Sequence, residues 1–260
     1  MTIRTVFLFT STETGESDRG PGAFAISLAR SHQAYLTIFT VALDVTSPGR
    51  QSDASAVASG LQRAAQAAGV SCEVITTHSH ALGVHEVIAE HARLHDICVV
   101  GCGRSGVLTE RQVTEYLLCE SGRPVIVVPQ SYSQPYRAGD IALGWDNTAA
   151  AARALGDTLS LLGPDRLHLL TVTGEKPLPT DLNTDRLVAA ISRRGGTADH
   201  SVVSLGSRTI ARALQGEAEL RGATLLSMGA KGHSRLRRIV FGSATTDFLS
   251  DPRLPTLLSR

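Results

Sequence analysis

The chain has 260 residues, of which 42% are hydrophobic and 4% aromatic, and its formal net charge is +1. That length allows one large core or two modest ones, and the near-neutral charge argues against a general nucleic-acid binder. No apolar run is long enough to cross a bilayer. The opening MTIRTVFLFTSTETGE has too short an apolar core, and no small-residue cleavage pattern, to be a secretion signal, so a cytoplasmic chain is expected.

In chain order, the first apolar runs are Thr5–Phe9, Tyr35–Val41, Cys72–Thr76, Asp96–Gly101 and Pro124–Val128. The stretches between them (FAISLARS, ASAVASGLQRAAQAAG, VHEVIAEHARL, TERQVTEYLLCES) repeat apolar residues every three or four positions, as helices do. A polar segment with Pro and Gly, Ser133–Gly139, follows and reads as a linker. The same beat then returns, with strands at Asp140–Trp145, Leu167–Val172, His200–Leu205, Ala223–Gly229 and Pro255–Ser259. The helices between these are TAAAARALGDTLSLL, DLNTDRLVAAISRR, RTIARALQGEAEL and roughly Ser243–Leu249. Strands alternating with helices predict an α/β fold with parallel sheets covered on both faces. The repeat predicts two domains, 1–132 and 138–260. A single eight-stranded barrel is disfavoured by the ten strands and the polar break after the fifth.

Charge is unevenly divided. The first 130 residues carry nine Arg, no Lys and twelve carboxylates, whereas the last 130 carry sixteen basic and twelve acidic residues. An anion site is therefore expected in the second half. The four cysteines, Cys72, Cys98, Cys102 and Cys119, lack C-x-x-C spacing and read as buried free thiols. His78, His80, His85, His91 and His95 cluster in the first half. His91 and His95 have a spacing that can share a metal, but no known ligand set is completed, so exposed loop and helix-end histidines are expected and no metal site.

Two glycine-rich stretches follow strands. GCGRSG, Gly101–Gly106, has the G-x-G-x-x-G pattern but follows a fourth strand, and the next strand ends in Pro129 and Gln130 with no carboxylate for a ribose. A dinucleotide fingerprint needs both features, so a plain turn is the better reading. The second stretch, MGAKGHSRLRRIVFGSATT (Met228–Thr246), spaces Gly229, Gly232 and Gly242-Ser243 as G-x2-G-x9-G-S. Bare glycines let backbone N–H groups approach a phosphate. Gly242-Ser243 opens a helix, where unpaired N–H groups and the dipole favour an anion. Lys231, Arg235, Arg237 and Arg238 add positive charge, at least two of them as ordinary solvated loop residues.

This stretch resembles the signature of the ATP-binding branch of the universal stress protein family. Met228 before the first glycine, the run GHSRLR, and GWDNTAAAARAL after the first strand of this half are similar to that family as well. The resemblance implies two tandem universal stress protein domains, each an open five-stranded parallel sheet of order 3-2-1-4-5, paired through their fifth strands as a pseudo-dimer within one chain. Pro255 suits such an edge, and a homodimer of whole chains is a further option. It also implies an adenine-nucleotide site, ATP with magnesium as a companion, in the second domain. The residues expected to line it are Asp146, Val172, Met228, Gly229, Gly232, His233, Arg235, Gly242, Ser243 and Ala244.

Asp146 reads equally as a cap for the helix starting near Thr148, Val172 as a core valine, and His233 as a loop-orienting residue. Trp145 reads equally as a pocket edge and as a plain sheet-end aromatic. In the first domain Thr10 and Ser11 stand where Asp146 is expected, and the position ten beyond Gly106 is Tyr116, so no ATP site is expected there. The role implied is a nucleotide-dependent stress sensor or regulator with an unidentified protein partner and no catalytic residues. The alternatives are a nucleotide-free scaffold, a slow ATP hydrolase, or an ATP-pyrophosphatase-like enzyme. The last would need an S-G-G-x-D-S type loop, which neither half has.

Overall fold

A computed structural model of the chain describes residues 2–11, 19–43, 51–79, 83–102, 110–174, 183–230, 232–235, 238–241 and 243–260. They fall into two compact units, Thr2–Arg137 and Ala138–Arg260. Each is taken by itself below.

The N-terminal unit has strands β1 (Thr5–Ser11), β2 (Tyr35–Leu43), β3 (Cys72–Ser79), β4 (Ile97–Cys102) and β5 (Val125–Pro129). Its helices are α1 (Arg19–His32), α2 (Gln51–Ala67), α3 (Val84–Ala92) and α4 (Glu110–Tyr116), the last continuing as a π-helical turn over Leu117–Ser121. All strand pairs are parallel, in the order β3-β2-β1-β4-β5. β4 and β5 are buried along nearly their whole length, as continuous Val/Ile runs covered on both faces require.

Tyr132 and the first part of the segment read from sequence as linker, Ser133–Tyr136, pack on α1. Phe24 meets the rings of Tyr132 and Tyr136 edge-on at 6.2 and 5.7 Å. The Tyr136 N–H donates to Ser27 Oγ at 2.7 Å. Two tyrosines give this otherwise polar stretch an apolar anchor, and the change of unit comes after Arg137.

The C-terminal unit repeats the plan. Its main sheet contains β6 (Asp140–Gly144), β7 (Arg166–Thr173), β8 (Ala198–Ser204), β9 (Leu225–Gly229) and β12 (Thr256–Ser259). Its helices are α5 (Ala149–Asp157, with a π-helical turn over Thr158–Leu162), α6 (Thr184–Arg193), α7 (Ile210–Leu220) and α8 (Ser243–Ser250). The strands are again all parallel, in the order β8-β7-β6-β9-β12. Numbered within each unit, both sheets are 3-2-1-4-5, as the resemblance implied. One element was not expected from the sequence. Between β9 and α8, β10 (Gly232–Arg235) and β11 (Arg238–Phe241) form an antiparallel hairpin, with Gly232 opposite Phe241 and Arg235 opposite Arg238.

A polar bracket around buried His168 ties the starts of three strands. His168, 5% exposed, sets Nδ1 2.8 Å from Asp199 Oδ2 and Nε2 3.3 Å from Asp140 Oδ2. Arg221, just past α7, pairs with Asp199 at 3.0 Å and Glu217 at 2.9 Å and donates to Ser201 Oγ. This network lies at the N-terminal end of the sheet. The glycine motif lies at the other end, where open α/β sheets hold ligands.

Candidate functional site

In the C-terminal sheet β6 has β7 on one side and β9 on the other, so strand order reverses at β6. The crevice beyond the C-terminal ends of β6 and β9 is the topological switch point. The residues following those two strands, the Asp146 turn and the glycine motif, are those singled out from sequence.

The Asp146 turn is tightly built. β6 ends at Gly144, two residues before the aspartate. Trp145 is buried, and its N–H donates to Leu170 O at 2.8 Å. Asn147 takes a left-handed φ of 58°, which turns the chain into α5. Thr148 is the N-cap, its hydroxyl accepting from Ala151 N at 3.3 Å. Asp146 is therefore not itself the cap. Its Oδ1 accepts the Thr148 N–H at 3.1 Å and the Thr148 hydroxyl at 2.6 Å, so it orients the cap from one step outside the helix.

Gly229 has a packing role that sequence reasoning did not assign. A Cβ placed there would stand 2.4 Å from Ala150 C and 2.7 Å from Ala150 O and Cβ. The bare α-carbon thus lets the end of β9 lie against the first turn of α5, which is a sufficient reason for glycine without any ligand. Met228 is buried in β9 opposite Leu258. Val172, half-buried near the end of β7, packs against the cluster formed by Leu170, Val203, Leu214 and Leu226.

The hairpin converts the x9 spacing into geometry. Pairing Gly232 with Phe241 returns the chain to where it left, so Ser243 begins α8 two residues after that pair. Gly229 lies three residues before it, at the end of β9. The hairpin thus leaves five residue steps and one strand pair between the end of β9 and the start of α8. Ala244 is half-buried in its first turn, and Thr245, Phe248 and Leu249 are buried. Gly242, Lys231 and Arg237 lie outside the described residues, as do the side chains of His233, Arg235, Arg238 and Ser243.

Strand register now aligns the two units residue by residue. Val6 pairs with Ile97 as Ile141 pairs with Leu225, so Gly101, not Gly103, is the counterpart of Gly229. The position three beyond Gly101 is Arg104, where the C-terminal unit has Gly232. The position thirteen beyond is Thr114, buried inside α4 rather than next to a helix start. Ser11, at the end of β1, occupies the place of Asp146. The loop residues Gly103 and Gly106 lie outside the described residues.

The histidines of the N-terminal unit are not the exposed set expected. His85 is half-buried with its ring 4.9 Å from that of Tyr116, and His91 lies 4.6 Å from Phe39. His95 is buried, with Nε2 2.9 Å from the Thr37 hydroxyl and Nδ1 3.0 Å from the His91 carbonyl. His91, in the last turn of α3, lies beside buried Ile88 and Ala92, and His95, three residues past the helix, turns its Nδ1 back to the His91 carbonyl. Burial lowers the pKa of His85 and of His95, offset in part by nearby carboxylates. His80 and the His78 side chain lie outside the described residues, and among those described no group of three His, Cys, Asp or Glu could hold a metal ion. Adding EDTA is expected to leave the melting temperature unchanged in a thermal scan; a large drop would assign this cluster a metal.

No cysteine is in a disulfide; Cys98 is buried and Cys72, Cys102 and Cys119 are half-buried, and burial pushes the Cys98 thiol up to about 12. No helix among the described residues is long and apolar enough to cross a membrane.

No family model matches the sequence, and no curated protein matches it. The fold does have solved counterparts. A universal stress protein from Archaeoglobus fulgidus DSM 4304 superposes with a TM-score of 0.73 at 16% identity, covering 98% of each chain. A candidate universal stress protein from Pseudomonas aeruginosa UCBPP-PA14 gives 0.59 at 12% identity, over 99% of this chain and 93% of that one. A protein of unknown function from Pseudomonas aeruginosa PAO1 gives 0.57 at 13% identity, over 99% and 92%. The fold of this chain is that of the universal stress proteins.

Proposed function

We propose that this chain, on a fold it shares with universal stress proteins, binds one adenine nucleotide, ATP by preference, at the switch point of its C-terminal unit and acts as a nucleotide-dependent regulator. The observation that carries the reading is the pairing of Gly232 with Phe241, which folds the spacer between the end of β9 and the start of α8 back on itself. The unpaired N–H groups of a helix's first turn favour an anion, and glycines on the approach leave room for phosphate oxygens. Asp146, held by Thr148, would accept hydrogen bonds from ribose or base, and Val172 would offer apolar surface to adenine. Magnesium would enter with the triphosphate, since the described residues hold no metal cluster of their own. Binding would fix the hairpin and alter a surface read by a protein partner in the cytoplasm. We assign no catalytic step to these residues.

The N-terminal unit lacks the aspartate, the second glycine and a helix start at the matching places, so one site per chain is expected. Calorimetry with ATP and magnesium tests this. The expected result is a stoichiometry of one, abolished by Gly232→Val, whose side chain would fill the phosphate approach. Two sites would overturn the reading of the N-terminal unit.

A nucleotide-free scaffold is the competing reading, and one observation favours it: the packing of Gly229 on Ala150 explains that glycine without a ligand. Mass spectrometry of small molecules released from freshly purified protein separates the two, an adenine nucleotide supporting the first, and its absence together with no heat on titrating ATP supporting the scaffold.

A further inference from the structure

We propose that Thr171 and His200 are positioning residues for the nucleotide site, acting through Trp145. The inference rests on the reading of the β6–β9 crevice given above and adds to it two residues whose side chains lie on the neighbouring strands β7 and β8.

Thr171 is fully buried in β7, and its hydroxyl donates to the Trp145 carbonyl at 2.9 Å. His200, on β8, sets Nε2 3.0 Å from the same hydroxyl. A carbonyl only accepts, so it takes the single hydroxyl proton, and Nε2–H must be the donor to Thr171 Oγ1. The neutral Nε2–H tautomer and the imidazolium both satisfy that arrangement, so the relay does not depend on the charge of the ring. Together with the bond from Trp145 N–H to Leu170 O, it holds both backbone groups of Trp145 against β7. Trp145 is the last residue before Asp146, at the point where the chain leaves the sheet. A shift of its carbonyl would rotate the next peptide and carry the aspartate with it.

The internal repeat supplies a control. Thr5 pairs with Tyr35 as Asp140 pairs with Arg166, which makes Thr40 of β2 the counterpart of Thr171. Ile38 pairs with Val74 as Leu169 pairs with His200, so Val74 stands where His200 stands. Valine has no proton to donate. The Thr40 hydroxyl is buried and has no hydrogen-bond partner among the described residues. The unit with an aspartate turn has the complete relay; the unit with Ser11 in that place keeps the threonine but not the histidine. A relay needed only to stabilise the sheet would be expected in both, because the strands and their order are the same.

Trp145 is the single tryptophan of the chain, so its fluorescence reports on this position alone. ATP affinity is measured by calorimetry, and by the emission of Trp145, for the unaltered chain and for Thr171→Val, Thr171→Ser and His200→Leu. Valine nearly keeps the volume but lacks the hydroxyl, while serine keeps the hydroxyl. The expected result is a loss of about tenfold in affinity for Thr171→Val and His200→Leu, the scale of one hydrogen bond. Recovery to within about twofold is expected for Thr171→Ser, with the Trp145 emission of the unliganded protein shifted only in the first two. Unchanged affinity in Thr171→Val, or a loss in Thr171→Ser as large as in valine, overturns the relay while the site stands. If the unaltered chain does not bind ATP, the site reading fails and the relay with it.

Discussion

A single methyl group added at Gly229 is expected to cost the C-terminal unit about 3 kcal/mol, at the upper end of what overpacking does. The new Cβ would stand 2.4 Å from the Ala150 carbonyl carbon and 2.7 Å from its oxygen. Those are backbone atoms of the first turn of α5, so they cannot swing aside as a side-chain tip could. Relief requires α5 to move away from β9, and that first turn is fixed by the Thr148 cap and by Asp146 behind it. Gly156→Ala, in the same helix, is the control. A Cβ there meets nothing within 4 Å, and alanine is the better helix former, so a gain of about 0.5–1 kcal/mol is expected. Urea denaturation followed by circular dichroism measures both. If Gly229→Ala matches the unaltered chain, the close approach of β9 to α5 is wrong, and the geometry proposed for the crevice goes with it. The prediction also bears on how binding data are interpreted. Lost ATP affinity in Gly229→Ala would report displaced backbone, whereas Gly232→Val tests the phosphate approach itself.

The strands of the main sheets were legible from sequence because each is a short apolar run between turn residues, and their alternation with helices left few topologies. The hairpin was not legible. GHSR and RIVF are four residues each, one is almost wholly polar, and neither shows a two-residue alternation long enough to read. What the sequence did show was the distance between glycines, and the hairpin, which pairs Gly232 with Phe241, folds the spacer between them back on itself. Aligning the repeats failed for a related reason. GCGRSG offers three glycines at similar spacing, and only the pairing of β1 with β4 shows that Gly101 is the counterpart of Gly229. Asp146 was recognised as either ligand or cap; the structure makes it neither a cap nor idle, because the adjacent Thr148 is also a good capping residue and lies nearer the helix. The relay through Thr171 and His200 had no signal in one dimension, since its members are on two strands and the turn after a third, and a threonine in a strand is ordinary.

Acidification is expected to destabilise the N-terminal unit well before carboxylates begin to protonate. Burial lowers the pKa of His32, His85 and His95 below the ordinary histidine value of 6.5. In the unfolded chain each takes up a proton as pH falls through 6.5, whereas in the folded chain each resists until lower pH. Between those two points the unfolded state holds more protons, so stability falls as pH falls, and below the folded pKa the loss levels off. Above pH 6.5 both states are neutral and no cost arises. Each tenfold difference in proton affinity is worth about 1.4 kcal/mol, and three such histidines in one unit add. His95 is the most buried of the three, packed beside Phe7 with its ring centroid 5.3 Å away. Nδ1–H donates to the His91 carbonyl, while the Thr37 hydroxyl, 2.9 Å from Nε2, gives its one proton to Glu73 Oε1 at 3.0 Å, so a neutral ring leaves the Nε2 contact without a proton. When charged, Nε2–H donates to the Thr37 oxygen and completes it. That bond eases the cation but does not outweigh burial, which is the largest contribution. His95→Gln keeps a group able to bond Thr37 and removes the titration. Denaturation midpoints at pH 7.5, 6.5 and 5.5 should fall less steeply for His95→Gln than for the unaltered chain. Parallel acid limbs would mean that the ring is not held neutral in the core, and that the turn after α3 is more open to water than the burial of His95 indicates.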